Sequence, residues 1–170
     1  MNMLGAASLG GNFTAGAAIL AGLIGGFAFL AVVYMGLGTG MTRMNFLSML
    51  GSMMAPKVPR GTTYAIGFVI HMMASAVFGL IHAGILTAID VTSVGSAVAW
   101  DVLIGAVHGV GVVIVMPMML GMAHPLVRSG ELERPRILMT GFGSMTPMGS
   151  LLAHVAFGLV TGAIYAAIVL

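Results

Sequence analysis

The chain has 170 residues, of which 59% are hydrophobic and only 6% are charged. Its mean hydropathy is +1.13, and so few polar residues cannot cover the core of a soluble domain. The absence of cysteine excludes disulfides, thiolate metal sites and cysteine nucleophiles. These properties predict an all-α polytopic membrane protein.

Four apolar stretches are each long enough to cross a bilayer, which takes about 20 apolar residues. They predict four transmembrane helices packed as a bundle, in a single transmembrane domain over residues 1–170. The predicted spans cover 14–35, 62–88, 96–122 and 148–170.

A short amphipathic segment follows the first span. In residues 42–55, the apolar Met44, Leu47, Leu50 and Met54 recur at helical spacing. This pattern predicts a helix that lies in the membrane interface.

All six basic residues lie in two loops between spans, and the exported turn has none. Cytoplasmic loops retain Lys and Arg whereas short exported loops lack them. The pattern therefore predicts that both basic loops are cytoplasmic and both termini are exported. The six residues are Arg43, Lys57, Arg60, Arg128, Arg134 and Arg136.

The two halves of the chain have a similar order of features. Each has a span, a basic loop with Gly-Ser-Met before a proline, and a second span with Phe-Gly-Leu, at 78–80 and at 157–159. Two crossings per half would relate the repeats by an axis along the membrane normal. Short matches also arise by chance in a sequence so rich in small and apolar residues, so a parallel repeat and a coincidence both remain open.

Every span carries small residues four positions apart. Such stripes let helix backbones approach closely, which replaces the hydrophobic driving force that is missing in lipid. They predict tight packing between helices. The predicted packing residues are Gly22, Gly26, Ser75, Gly79, Gly105, Gly109, Gly158 and Gly162.

Four histidines lie within spans, where an ionisable side chain is a functional hypothesis. His71, His82, His108 and His154 are candidates for binding haem or copper, because a neutral imidazole can ligate either metal. The alternative is that each imidazole only donates a hydrogen bond between helices. Both interpretations remain open for each histidine.

Two of these histidines have similar surroundings in the sequence. His71-Ser75-Gly79 is similar to His154-Gly158-Gly162, and each histidine extends the small-residue stripe of its own span. Both side chains are therefore expected to point at a neighbouring helix. His71 is expected to be the deepest in the membrane.

Methionine is abundant, with 17 residues. Thioethers and imidazoles together favour Cu(I), which makes His71, His82, His108, Met116 and Met119 a candidate metal set. The alternative is that the methionines fill gaps between glycine-rich helices.

Asp101 is the only carboxylate within a span, and His108 follows it by two helical turns on the same face. The two residues are candidates for a proton relay. We find no Ser-His-Asp spacing, no HExxH and no P-loop, so no catalytic residue is predicted.

The segments MNFLSMLGSMMAP and HMMASAVFGLIHAGIL, the Met-Pro-Met turn and the span from His154 to Tyr165 carry a resemblance across most of the chain. Together they resemble a family of small uncharacterised bacterial membrane proteins with four spans. The resemblance implies the same architecture in a bacterial inner membrane, and it implies no activity.

These features leave three functional hypotheses. The first is a non-catalytic accessory subunit that packs in the membrane against a larger respiratory or oxygenase complex. The predicted partners are membrane lipid and either other membrane subunits or further copies of the chain, without nucleic acid. The second is a protein that binds or handles haem or copper. The third is a small-solute channel or a proton-linked carrier.

Overall fold

The computed structural model describes Leu9 and residues 13–170. Within this part of the chain all regular structure is helical, which confirms the predicted all-α fold. The helices are α1 (Ala15–Gly38), α2 (Phe46–Met54), α3 (Arg60–Ala88), α4 (Val94–Ala123), α5 (Pro125–Arg128) and α6 (Thr146–Val169), with a 3-10 segment at Ile137–Phe142.

Four of these helices, α1, α3, α4 and α6, are long and apolar enough to cross a membrane. They begin and end within a few residues of the predicted spans. The four pack together, so the prediction of a multi-pass bundle is confirmed.

Neighbouring spanning helices run antiparallel. Gly22 of α1 lies against Gly79 of α3, whereas Gly26 lies against Ser75, one turn earlier on α3. This direction places the two loops with all Lys and Arg residues at one end of the bundle, which we call the basic end. The turn between α3 and α4 lies at the opposite end.

Glycine allows the backbones of two helix pairs to touch. A methyl group at Gly22 would lie 2.7 Å from Gly79 Cα, and one at Gly158 would lie 3.3 Å from Gly105 Cα. The eight small residues predicted to pack all lie in these two interfaces, between α1 and α3 and between α4 and α6. The absence of a side chain at these positions lets the backbones approach closely, and dispersion contacts between them hold the helices together in lipid.

The two pairs share one register. Gly22 lies between Ser75 O and Gly79, and Gly105 lies between His154 O and Gly158. Ser75 is therefore the equivalent of His154. The same register makes Phe78 the equivalent of Phe157, which agrees with the repeated Phe-Gly-Leu of the sequence.

This register corrects one prediction. The similarity between His71-Ser75-Gly79 and His154-Gly158-Gly162 is shifted by one helical turn, because glycines four positions apart match equally well in either register. In the structure His71 is the equivalent of Ser150. One half thus has histidine and then serine, and the other half has serine and then histidine.

The short helix α2 lies within the predicted segment 42–55 and packs against α3. Asn45 is the N-cap of α2, and its side-chain oxygen accepts a hydrogen bond from Ser48 N at 3.3 Å. Gly51 lies directly against the backbone of Gly67, and this contact fixes the rotation of α2. Met44 and Leu47 of the predicted apolar face are buried together with Phe46, whereas Met54 of that face is 70% exposed.

Candidate functional site: a histidine-lined cavity

A cavity of about 170 Å³ lies between the spanning helices, in the half of the bundle nearer the basic end. An engineered apolar cavity of about 150 Å³ binds benzene, so this space has room for one substituted ring. Most of its wall is apolar, and three imidazoles provide polar groups. The lining includes Phe29, Phe46, His71, Ala74, Phe78, His108, Met116, Ser150, His154 and Phe157.

His71 enters the cavity from α3 and joins α3 to α1. Its Nε2 donates a hydrogen bond to Gly26 O at 3.0 Å, because a carbonyl oxygen can only accept. The ring packs against Phe29 and Phe46, with centroid distances of 5.1 and 5.3 Å. His71 therefore makes the hydrogen bond that the packing interpretation requires, and a neutral ring keeps its Nδ1 as an acceptor.

His154 enters the cavity from α6. Its Nδ1 donates to Ser150 O at 2.7 Å, so in a neutral ring Nε2 is the acceptor. The equivalent bond in the other half runs from Ser75 Oγ to His71 O at 2.8 Å. The exchanged order of serine and histidine thus keeps this hydrogen bond and places the two imidazoles one turn apart in the repeat.

His82 and Asp101 form a buried pair between α3 and α4. The distance from His82 Nδ1 to Asp101 Oδ1 is 2.6 Å, and the two side chains are only 1% and 0% exposed. The other nitrogen of His82, Nε2, lies 3.4 Å from His108 Nδ1. The structure thus inserts His82 between the two residues that the sequence predicts as a relay.

The resulting chain, Asp101–His82–His108, can hold its protons in two arrangements. With Asp101 ionised, each imidazole points an N–H toward it, and His108 Nε2 is left as an acceptor. With Asp101 protonated, both imidazoles reverse, and His108 Nε2 becomes a donor. One proton accepted at His108 Nε2 converts the first arrangement into the second, so the chain can carry a proton from the cavity to Asp101.

His108 also determines the distance between α3 and α4. Its ring lies 4.0 Å from the ring of Phe78 and 4.7 Å from that of His154, measured between centroids. The equivalent residue in the other half is Gly25, which lies directly against Thr161 and Phe157 of α6. Glycine lets α1 and α6 close together, whereas an imidazole holds α3 and α4 apart.

The separated side of the bundle gives access to the cavity. Ala74 of α3 lines the cavity and is exposed, and it adjoins the exposed Met73 and Val77. We infer that the wall of the cavity is open beside Ala74. The opening lies between two helices that would face lipid, and an apolar molecule could enter through it from the membrane.

The hydroxyl of Thr161 occupies the position that the His82–Asp101 pair has at the other interface. Ala18 is the equivalent of Asp101, since each carbonyl lies against the glycine of the facing helix, Gly79 or Gly158. Thr161 is the equivalent of His82, and its buried Oγ1 has no hydrogen-bond partner in the described part of the chain. The interface between α1 and α6 therefore keeps the position of the polar pair but lacks the carboxylate, because Ala18 stands where α4 has Asp101.

The candidate metal residues are only partly brought together. Met116 lines the cavity with His71 and His108, whereas Met119 and His82 do not line it. Among residues 13–170, no group of three or more His, Asp or Glu side chains could hold a metal ion. A haem ring is several times larger than benzene, so it would need the cavity walls to move.

Two features of the basic end were missed in the sequence. His124 is fully buried, and its Nε2 donates to Met49 O at 3.0 Å, which ties the end of α4 to α2. Ser150 supplies the carbonyl that orients His154. In the sequence His124 stands at the end of an apolar span, just before Pro125. The same pattern fits a simple helix end, so it does not indicate a buried histidine.

Comparison of the chain with protein families, with curated proteins and with solved structures gives no match. The resemblance to a bacterial family of four-span proteins stays a prediction.

Proposed function

We propose that the protein binds a small hydroxyl-bearing ring compound taken from the lipid phase. The observation that carries this proposal is the cavity itself, whose apolar walls are interrupted by His71, His108 and His154. Sites for small molecules are typically apolar with a few oriented polar groups. The volume of about 170 Å³ suits one ring rather than an extended cofactor.

The hydrogen bonds of the three histidines select the polar group of the ligand. His71 and His154 each use one N–H on a backbone carbonyl, so each neutral ring offers only an acceptor to the cavity. When Asp101 is ionised, His108 uses its N–H on His82 Nε2 and likewise offers an acceptor. Three acceptors favour a ligand that donates, such as a phenolic hydroxyl, over one that only accepts.

The test uses two compounds of nearly equal shape, p-cresol and p-xylene, with the full chain in lipid nanodiscs. We expect saturable binding of p-cresol by titration calorimetry, against empty nanodiscs as the blank. Because p-xylene lacks the hydroxyl and its hydrogen bond, it should bind about fivefold more weakly than p-cresol. Equal affinity for both compounds, or no saturable binding of either, would contradict the proposal.

A matched pair of variants locates the bound molecule. Ala74→Trp should fill the entrance and abolish binding, because Ala74 lines the cavity. Val77→Trp adds the same ring to the outward face of α3, where Val77 is already exposed, and should leave binding unchanged. Unchanged binding in Ala74→Trp would place the compound elsewhere.

The hydrogen-bonded chain favours a second property of the same site. A phenolic hydroxyl bound beside His108 could pass its proton through His82 to Asp101, which supports the relay expected from the sequence and a proton-linked activity. Copper binding stays a prediction; of the two methionines in the candidate metal set, Met116 lines the cavity with His71 and His108. Packing as an accessory subunit also stays a prediction, since the exposed helix faces are as apolar as lipid contact alone requires.

We also propose that the protein lies in a bacterial inner membrane with its basic end in the cytoplasm. The distribution of Lys and Arg supports this orientation. Reporter domains fused after Lys57 and after Glu131 should both read as cytoplasmic. Exported signals from both fusions would reverse the orientation.

A further inference from the structure

A second concave surface lies at the basic end, outside the bundle. It is a groove of about 710 Å³ between the last turns of α4, helix α5 and residues 134–138. Its base includes Gly121, where no other atom lies within 4 Å of the position that a side chain would take. The groove is therefore open along the outer face of α4.

The rim of the groove is strongly basic. Arg128, Arg134 and Arg136 all line it, and all three are exposed. None of them forms an ion pair with an acidic side chain of residues 13–170, where the one Arg–carboxylate pair joins Arg43 to Glu133 at 3.2 Å. Three guanidinium groups thus line the groove, and none of them has an acidic side chain within ion-pair distance in the described residues.

The wall of the groove continues into the lipid-facing surface of α4. Ile114 and Met118 line it and are 60% and 61% exposed. Since α4 spans the membrane, these side chains would contact acyl chains, and the arginines lie where the headgroups begin. One molecule that has an anionic head and apolar tails matches both parts of the groove.

We propose that the groove binds one anionic phospholipid, with its phosphate on the arginines and an acyl chain along Ile114 and Met118. Guanidinium groups bind phosphate with two parallel hydrogen bonds, and basic pockets beside spanning helices bind anionic headgroups. Membrane orientation alone does not require such a groove. Lys57 and Arg60 provide the same charge at the same end and line neither this groove nor the cavity.

The test compares Arg134→Gln/Arg136→Gln with Lys57→Gln/Arg60→Gln, two double variants that each lose two charges from the basic end. The purified full chain is titrated with dioleoyl-phosphatidylglycerol or dioleoyl-phosphatidylcholine, and native mass spectrometry counts the bound lipid. We expect one selective phosphatidylglycerol site in the wild type. The arginine variant should bind phosphatidylglycerol about thirtyfold more weakly, because it loses the attraction of two positive charges for the anionic headgroup. The control variant should bind it with unchanged affinity.

Three results would overturn the proposal. They are equal binding of the two lipids by the wild type, equal losses in the two variants, and displacement of the lipid by millimolar inorganic phosphate, which would indicate a site for free phosphate. Circular dichroism verifies that both variants remain folded. If the arginine variant does not fold, Ile114→Glu replaces it, and unchanged phosphatidylglycerol binding in that variant would overturn the proposal.

Discussion

Gly25 and His108 occupy equivalent positions in the two halves of the bundle, and they have opposite effects on their interfaces. Gly25 lies directly against Thr161 and Phe157, so α1 and α6 are in close contact. His108 places an imidazole against Phe78 and His82, so α3 and α4 are bridged by side chains. A single difference in side-chain size thus produces one closed side and one side with access to a cavity.

The closed side should not tolerate even a methyl group at Gly25. A Cβ there would lie 3.1 Å from Phe157 O and 3.2 Å from its ring. We expect Gly25→Ala to lower the free energy of unfolding by about 1–3 kcal/mol, as overpacking of a tight interface does. Reversible unfolding in mixed micelles measures this change.

The control for this prediction is Gly84→Ala on α3. No other atom lies within 4 Å of a Cβ at that position. The higher helix propensity of alanine should leave the stability equal or raise it by up to about 1 kcal/mol. Equal effects of the two substitutions would contradict close contact at Gly25.

Thr161 should be replaceable by valine without loss. Its buried Oγ1 lacks a partner within the described residues, and removal of an unsatisfied buried hydroxyl should raise the free energy of unfolding by about 1 kcal/mol. Thr146→Val is the matched case, because Thr146 Oγ1 lies 2.9 Å from Thr42 Oγ1. It should lower stability by a similar amount, and a loss in Thr161→Val would reveal a partner for Thr161.

The architecture could be predicted from the sequence because each span is apolar over its whole length and each stripe of small residues is local. The pairing of helices could not. Gly22 and Gly105 have the same kind of neighbours along the chain, and only the three-dimensional contacts show that one meets Ser75 and the other His154. The cavity was beyond prediction for the same reason, since it depends on the size of one residue at each of two interfaces.

The contacts of the candidate proton relay could be predicted in part. Asp101 and His108 share a face of α4, which the helical repeat indicates, but the residue that joins them comes from another helix. Periodicity gives the direction of a side chain within one helix and no information on which side chain faces it. His82 therefore appeared in the sequence as a candidate ligand rather than as the middle of a chain.

His71→Gln should leave the bundle assembled. The glutamine amide can donate to Gly26 O in place of Nε2, and we expect a loss of about 1 kcal/mol in the free energy of unfolding. His71→Ala should lose more, because it also removes the ring between Phe29 and Phe46. Copper bound to the wild type and lost in His71→Gln would instead assign this residue a ligand role.

Asp101→Asn should uncouple the relay from the cavity. An amide can accept a hydrogen bond from His82 and cannot take up the proton that would reach it. With 4-nitrophenol as a probe, whose absorption differs between the phenol and the phenolate, the wild type should hold more phenolate than the variant at the same pH.

Glu131→Gln is the control for the relay. Glu131 is an exposed carboxylate at the basic end, where it accepts a hydrogen bond from Ser129, and it does not line the cavity. It should give the wild-type spectrum. Equal phenolate in the wild type and in Asp101→Asn would exclude Asp101 as the acceptor.

The relay also runs along the membrane normal rather than in the plane of the membrane. His108 and Asp101 are two turns apart on α4, about 10 Å along the helix axis, in a hydrocarbon layer about 30 Å thick. A proton that moves from the cavity to Asp101 therefore crosses about a third of any transmembrane voltage, or roughly 0.8 kcal/mol for each 100 mV. With the proposed orientation, an inside-negative potential would favour the proton at the cavity end, so the charge on Asp101 would respond to how strongly the membrane is energised.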